Sequence, residues 1–138
     1  MKLNFTLAEL CASTTAKKLG QKNEPSLAVC DNLMLLIVNV LQPLRTALKS
    51  PVIVSSGYRN PILNSYLGSK ANSQHVKGQA ADITVSGMSI NDLFNFIKKS
   101  GIEYDQLIHE GTWIHISYNK DYNRRENLKL VNGKFVKV

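Results

Sequence analysis

A long apolar segment in the first third of the chain constrains the fold more than any other feature. The run SLAVCDNLMLLIVNVLQPLRTALK, residues 26–49, is hydrophobic on most faces, which is typical of a buried helix. Pro25 and Ser26 mark its start, and Pro43 is expected to bend the helix or divide it in two. A chain of 138 residues is long enough to bury such a helix, so we expect one domain over residues 1–138.

Shorter segments predict an α+β fold around this helix. Further helices are expected over residues 6–13, 60–67 and 89–101, the last starting at Ser89 with Asp92 in a near capping box. The polar run KKLGQKNEP is expected to be a connector. Strands are predicted for PVIVSS, AADITVS, YDQLIHE, TWIHISY and LKLVNGKFVKV, with a hairpin at Asn132-Gly133. We therefore expect N-terminal helices packed on a small antiparallel sheet.

Charge limits the partners that we expect, and cysteine content indicates the cellular compartment. The formal net charge of +7 implies attraction to an anionic partner, such as nucleic acid, a membrane surface or a cell-wall polymer. The basic residues are scattered and are not interleaved with aromatic ones, so we do not expect a nucleic-acid partner. Cys11 and Cys30 form no CxxC motif and are interpreted as core residues of helices in a reducing compartment, with a single disulfide as the alternative.

The first residues, MKLNFTLAELCAS, are too polar for the core of a signal peptide or for a membrane span. We therefore expect cytoplasmic synthesis without a signal peptide and no membrane partner. We also expect the protein to be a monomer.

Two neighbouring strands each turn one potential metal ligand away from the core. Side chains alternate along a strand, so Ile114 and Ile116 should point into the core while Trp113 and His115 share the opposite face. By the same alternation, the AADITV strand buries its aliphatic side chains and turns Asp82 outward.

A third potential ligand precedes these strands in the run SQHVKGQAAD, residues 73–82. His75 lies in a loop in which Gly78 permits the chain to fold back toward Asp82. Two imidazoles and one carboxylate around Zn²⁺ leave a fourth tetrahedral position for water, which is the arrangement of a catalytic zinc. The alternative from spacing alone is an exposed loop histidine at position 75, a turn-capping Asp82 and a surface His115.

The same run carries the pattern S-x-H-x-x-G-x-A-x-D, and this pattern resembles the zinc D-Ala-D-Ala carboxypeptidase family, which includes many phage endolysins and cell-wall dipeptidases. The resemblance extends to VSSGYRNPILN upstream and YDQLIHEGTWIHISY downstream, so it covers roughly residues 25–120. It implies that His75, Asp82 and His115 bind Zn²⁺. It also implies that Arg59 binds substrate or stabilises the oxyanion.

A zinc hydrolase also needs a carboxylate that moves protons, and Glu110 is the candidate. If Gly111-Thr112 forms a two-residue hairpin loop, Glu110 shares the face of His115 and His109 points away, whereas a three-residue loop would exchange the two. The resembling family has a glutamate here or, in some branches, a histidine. The interval to His115 is judged one residue shorter than in the phage branch.

Two further residues are predicted around the cleft. Ser73 is expected to bind substrate or to hold a ligand in place, with a plain loop serine as the alternative. Trp113 is expected either to line the substrate cleft or to pack at a sheet edge.

The expected function is zinc-dependent hydrolysis of a peptide bond in the stem or cross-link peptides of bacterial peptidoglycan, by a carboxypeptidase or endopeptidase. The protein would act on the wall after release or as part of a phage particle. The alternative is a catalytically silent, zinc-containing module that binds the cell wall or serves as a phage structural component. The pattern leaves open whether a D-Ala-D-Ala, an L-Ala-D-Glu or a cross-bridge bond is cut.

Overall fold

A computed structural model describes residues 2–138 as helices packed on one six-stranded sheet, which confirms the predicted α+β class. The helices are α1 Leu7–Cys11, α2 Thr14–Lys18, α3 Leu27–Leu36, α4 Gln42–Leu48, α5 Pro61–Tyr66 and α6 Ile90–Lys99. The strands are β1 Val52–Ser56, β2 Ala80–Val85, β3 Gln106–His109, β4 Ile114–Ser117, β5 Glu126–Val131 and β6 Lys134–Lys137.

The predicted buried helix runs without interruption from Leu27 to Leu48. Ser26 caps its start by accepting a hydrogen bond from the backbone N–H of Val29. Pro43 cannot donate a backbone hydrogen bond, but it does not divide the helix. A π-helical turn at Ile37–Leu41 directly precedes α4 and accommodates the missing hydrogen bond.

This helix supplies much of the hydrophobic core. By length and composition alone it would also suffice to cross a membrane. Its fully buried side chains nevertheless pack within the protein, as in an ordinary core helix; they are Leu33, Leu36, Ile37, Val40, Leu41 and Leu44.

The N-terminal region contains one helix that the sequence pattern did not predict. Ser13 accepts a hydrogen bond from the backbone N–H of Ala16 and so caps α2, which extends to Lys18. Lys17 and Lys18 are therefore the last turn of a helix rather than the start of the polar connector. Cys11 is a free thiol that packs against the core.

The sheet has the order β1-β2-β4-β3-β5-β6, and all neighbours are antiparallel except β3 and β5. This parallel pair departs from the purely antiparallel expectation. After β4, residues 118–125 pass the N-terminal end of β3. Strand β5 therefore starts at Glu126 beside Gln106 and runs in the same direction as β3. The predicted hairpin then follows, with Asn132 and Gly133 both in the left-handed region at φ 50° and 76°.

Candidate metal centre and cleft

Strand register brings two of the predicted ligands together. Asp82 on β2 lies directly opposite His115 on β4, so their side chains share one face of the sheet. The opposite face is the core, where Ile83, Ile114 and Ile116 are completely buried. The predicted facing of both strands is therefore confirmed.

The loop before β2 brings the third residue to the same place. The imidazole Nδ1 of His75 lies 2.7 Å from the carbonyl oxygen of Gly57, and because a carbonyl can only accept, Nδ1 is the protonated nitrogen. The other ring nitrogen, Nε2, lies 3.3 Å from Asp82 Oδ1; it donates to that oxygen when protonated and offers a lone pair to a metal ion when neutral. A carbonyl that fixes the tautomer in this way is common behind metal-binding histidines.

Two glycines are required where backbone segments around the site pack closely. A Cβ on Gly57 would lie 2.2 Å from the carbonyl oxygen of Leu10, so no other residue fits there without moving the backbone. Gly78 has a φ of +73°, and a Cβ on it would lie 2.8 Å from the Val29 side chain and carbonyl oxygen. Gly78 was predicted to be permissive, whereas the need for glycine at position 57 was not foreseen.

The spacing of the three donor atoms fits a tetrahedral metal. His115 Nδ1 lies 3.2 Å from the same Asp82 oxygen that His75 approaches, and the three ligand atoms all lie within 4.8 Å of one another. Nitrogen and oxygen ligands at about 2.0–2.1 Å from Zn²⁺ would be about 3.3 Å apart in a regular tetrahedron. All three residues are buried, so His75, Asp82 and His115 form a candidate zinc site with one position left for another ligand. The exposed-histidine alternative is wrong.

Electrostatics favour a charged Asp82 in this cluster. Burial by itself raises the pKa of the carboxyl, but hydrogen bonds and positive charge from His115 and His75 outweigh it, so the pKa of Asp82 is lowered. An ionised carboxylate is the form that binds a metal ion.

Arg59 contacts the candidate ligand set rather than open solvent. Its Nη2 donates to Asp82 Oδ2 at 3.2 Å, while Nε donates to Ser56 Oγ and Nη1 to Ser69 Oγ, both at 3.0 Å. The guanidinium therefore holds the carboxylate oxygen that faces away from the two histidines. Arg59 also lines the cleft beside the cluster, where its predicted contact with substrate stays a prediction.

Glu110 lies on the cleft side of the β3–β4 hairpin. Its backbone N–H donates to the carbonyl oxygen of Trp113, and Ile108 lies opposite His115, so the loop has the two residues Gly111 and Thr112. The two-residue register is thus confirmed, and the three-residue alternative is wrong. The Trp113 indole N–H donates to Glu110 Oε2 at 2.9 Å.

His109 points to the opposite side of the sheet, as the two-residue loop predicts. Its Nε2 contacts Asn91 Oδ1 at 2.7 Å, and its Nδ1 accepts from the backbone N–H of Gly111 at 3.2 Å. It does not line the cleft.

The cluster opens into a cleft with a volume of about 780 Å³. Ser73 lines this cleft, and its hydroxyl accepts a hydrogen bond from the backbone N–H of His75 at 3.2 Å, so it supports the ligand loop. Leu128 and Phe135 of the C-terminal hairpin also line it, and sequence reasoning did not place them there.

Comparison with known proteins agrees with this geometry. The model of the family described as Peptidase M15 matches residues 3–117, which is most of the chain and includes all three candidate ligands and Glu110. A search of curated proteins finds no match. Peptidases of this family are zinc-dependent, and the buried His-Asp-His cluster fits that metal. The chain therefore belongs to the peptidase M15 family of zinc metallopeptidases.

Proposed function

We propose that the protein hydrolyses a peptide bond in the stem or cross-link peptides of bacterial peptidoglycan. The observation that carries the proposal is a buried candidate zinc site in the same cleft as a carboxylate fixed by Trp113. Lys70 also lines this cleft, and its positive charge suits the carboxylates of wall peptides. The net charge of +7 favours approach to an anionic wall.

Three residues would hold the zinc ion, and they are His75, Asp82 and His115. When bound there, zinc would supply Lewis acidity toward the scissile carbonyl and toward the attacking water. Arg59 keeps Asp82 oriented through its contact with Oδ2.

Glu110 would move the proton. Its carboxylate would accept a proton from the attacking water and deliver it to the leaving amine, because a peptide nitrogen must be protonated to depart. The indole of Trp113 binds Oε2 and so leaves the other carboxylate oxygen available for this transfer.

A site of this kind acts as a carboxypeptidase or an endopeptidase according to which end of the peptide the cleft admits. We propose that the protein acts as a monomer on the wall, after release from the cell or as part of a phage particle. The rival function is a silent wall-binding or phage structural module that retains zinc.

The experiment compares Glu110→Gln with the parent protein on dye-labelled cell walls, alongside zinc content. Loss of the general base should lower dye release by about 10²–10⁴-fold, with zinc still bound at one ion per chain. Glu24→Gln is the matched control, since Glu24 is exposed and lies outside the cleft. A parent protein that holds zinc but releases nothing from any wall preparation would establish the silent module instead.

A further inference from the structure

The C-terminal hairpin lies outside the segment that the family model matches. That match ends at residue 117, whereas β5 and β6 occupy residues 126–137 and extend the sheet beyond β3. The hairpin is thus a part of the cleft for which the family match assigns nothing.

One face of this hairpin lies on the same side of the sheet as the metal centre. Ile108 lies opposite His115 on one side and opposite Leu128 on the other, so all three side chains share a face of the sheet. Leu130 and Phe135 pair with each other one step farther along the same face. Leu128 and Phe135 line the cleft that contains the candidate zinc ligands.

These apolar side chains do not serve the hydrophobic core. Phe135 is 54% exposed and Leu130 is 36% exposed. Within residues 2–138, neither belongs to the core cluster or to the hydrophobic side chains packed against it. The apolar surface of an exposed aromatic side chain on a cleft wall is removed from water only when a ligand covers it.

The base of the hairpin is fixed, so this wall is preformed. Arg124 binds Asp105 through two hydrogen bonds, with Nε–Oδ1 at 2.8 Å and Nη2–Oδ2 at 3.0 Å. Gln106 donates to Glu126 Oε1 at 2.7 Å and so joins β3 to the start of β5. A wall that is already ordered loses little conformational entropy when it binds a ligand.

We propose that Leu128 and Phe135 form a specificity wall that binds an aliphatic side chain of the substrate peptide in the cleft. The inference rests on the proposed function, because the occupant is taken to be the peptide that the zinc centre cuts. Its chemistry follows from the wall, which offers one leucine side chain and one aromatic face, with Lys137 beside Leu128 on the same face. Wall peptides with an aliphatic residue at that position would be preferred over those with a polar one.

The test uses the zinc-loaded full chain and soluble peptidoglycan fragments released by a muramidase. Phe135→Ala should raise KM by about 10-fold with kcat nearly unchanged, because the wall contacts ground state and transition state alike. Phe135→Leu should restore most of the binding. Val136→Ala is the matched control, since Val136 is 41% exposed on the opposite face of the same strand.

Thermal unfolding and sedimentation accompany the kinetics. Because Phe135 is more than half exposed, its truncation should leave the unfolding temperature and the zinc content unchanged. Equal KM values for the parent and Phe135→Ala would overturn the wall while leaving the proposed hydrolysis intact. A change in oligomeric state in place of KM would overturn it too, since the patch would then cover a second copy. Absence of both cleavage and binding by the parent protein would overturn the hydrolysis itself, and the wall with it.

Discussion

Replacement of Arg59 by lysine tests how far the metal centre depends on its supporting side chains. The guanidinium makes three hydrogen bonds at once, to Ser56, Ser69 and Asp82. A lysine keeps the positive charge but carries a single ammonium on a flexible stem, so it can hold one of these partners in place and not the other two.

The expected magnitude follows from the bonds that are lost. Two hydrogen bonds at about 0.5–1.5 kcal/mol each give a loss of roughly 1–3 kcal/mol in the free energy of unfolding. For a domain of this size, a loss of 2 kcal/mol lowers the unfolding temperature by about 5–10 °C. Asp82 would also be less well oriented, and loss of such support lowers metal affinity by about 10–100-fold.

The assays are calorimetric unfolding, zinc titration against a competing chelator, and turnover of cell-wall peptides at saturating zinc. Arg45→Lys is the control, because the Arg45 guanidinium makes no side-chain hydrogen bond within residues 2–138. Arg59→Lys with parental zinc affinity and parental unfolding temperature would refute the reasoning from these three bonds. Lower stability with unchanged zinc affinity and turnover would make Arg59 a structural residue only.

Two further predictions concern the β3–β4 hairpin. Trp113→Phe removes the N–H that binds Glu110 Oε2 but keeps an aromatic ring, so kcat should fall several-fold with zinc content unchanged; a parental kcat would show that the indole does not position Glu110. Burial, and after it the positive charge of Lys129, lower the pKa of His109 below its ordinary value near 6.5. The stability that the neutral His109 ring contributes is therefore complete above that pH and is lost as the pH falls through the folded pKa. Urea midpoints at pH 7 and pH 5 should therefore fall less in His109→Gln than in the parent protein at the same zinc content, and equal falls would contradict this.

The candidate ligands could be predicted from sequence because strand alternation is a local property. Once Ile114 and Ile116 are assigned to the core, His115 must face the other way, and the same holds for Asp82 in its strand. The sequence showed only that the loop could fold His75 back toward Asp82, not that it must. Its contact with the Gly57 carbonyl joins residues 18 positions apart and left no periodic signal.

The parallel direction of β5 could not be predicted from local sequence either, because it also depends on contacts between distant residues. Residues 126–131 have the composition of a strand, but their partner is decided by where the connection at residues 118–125 crosses the sheet. That path depends on contacts such as Arg124 with Asp105, which are set by tertiary packing. The apolar wall of the cleft was missed because the direction of β5 was missed.

Glu110 and His109 are the two candidates for the proton-transfer role, and the His109 ring helps to fix the loop that positions Glu110. A slip of one residue in the loop would exchange the faces of these two side chains. His109 opposes such a slip, since Nδ1 accepts from the Gly111 N–H while Nε2 donates to Asn91 on α6. Protonation of Nδ1 would replace that acceptor with a donor facing another donor, so the neutral ring is the form that fixes the loop. The histidine excluded from the cleft therefore helps to keep Glu110 on the side of the metal centre.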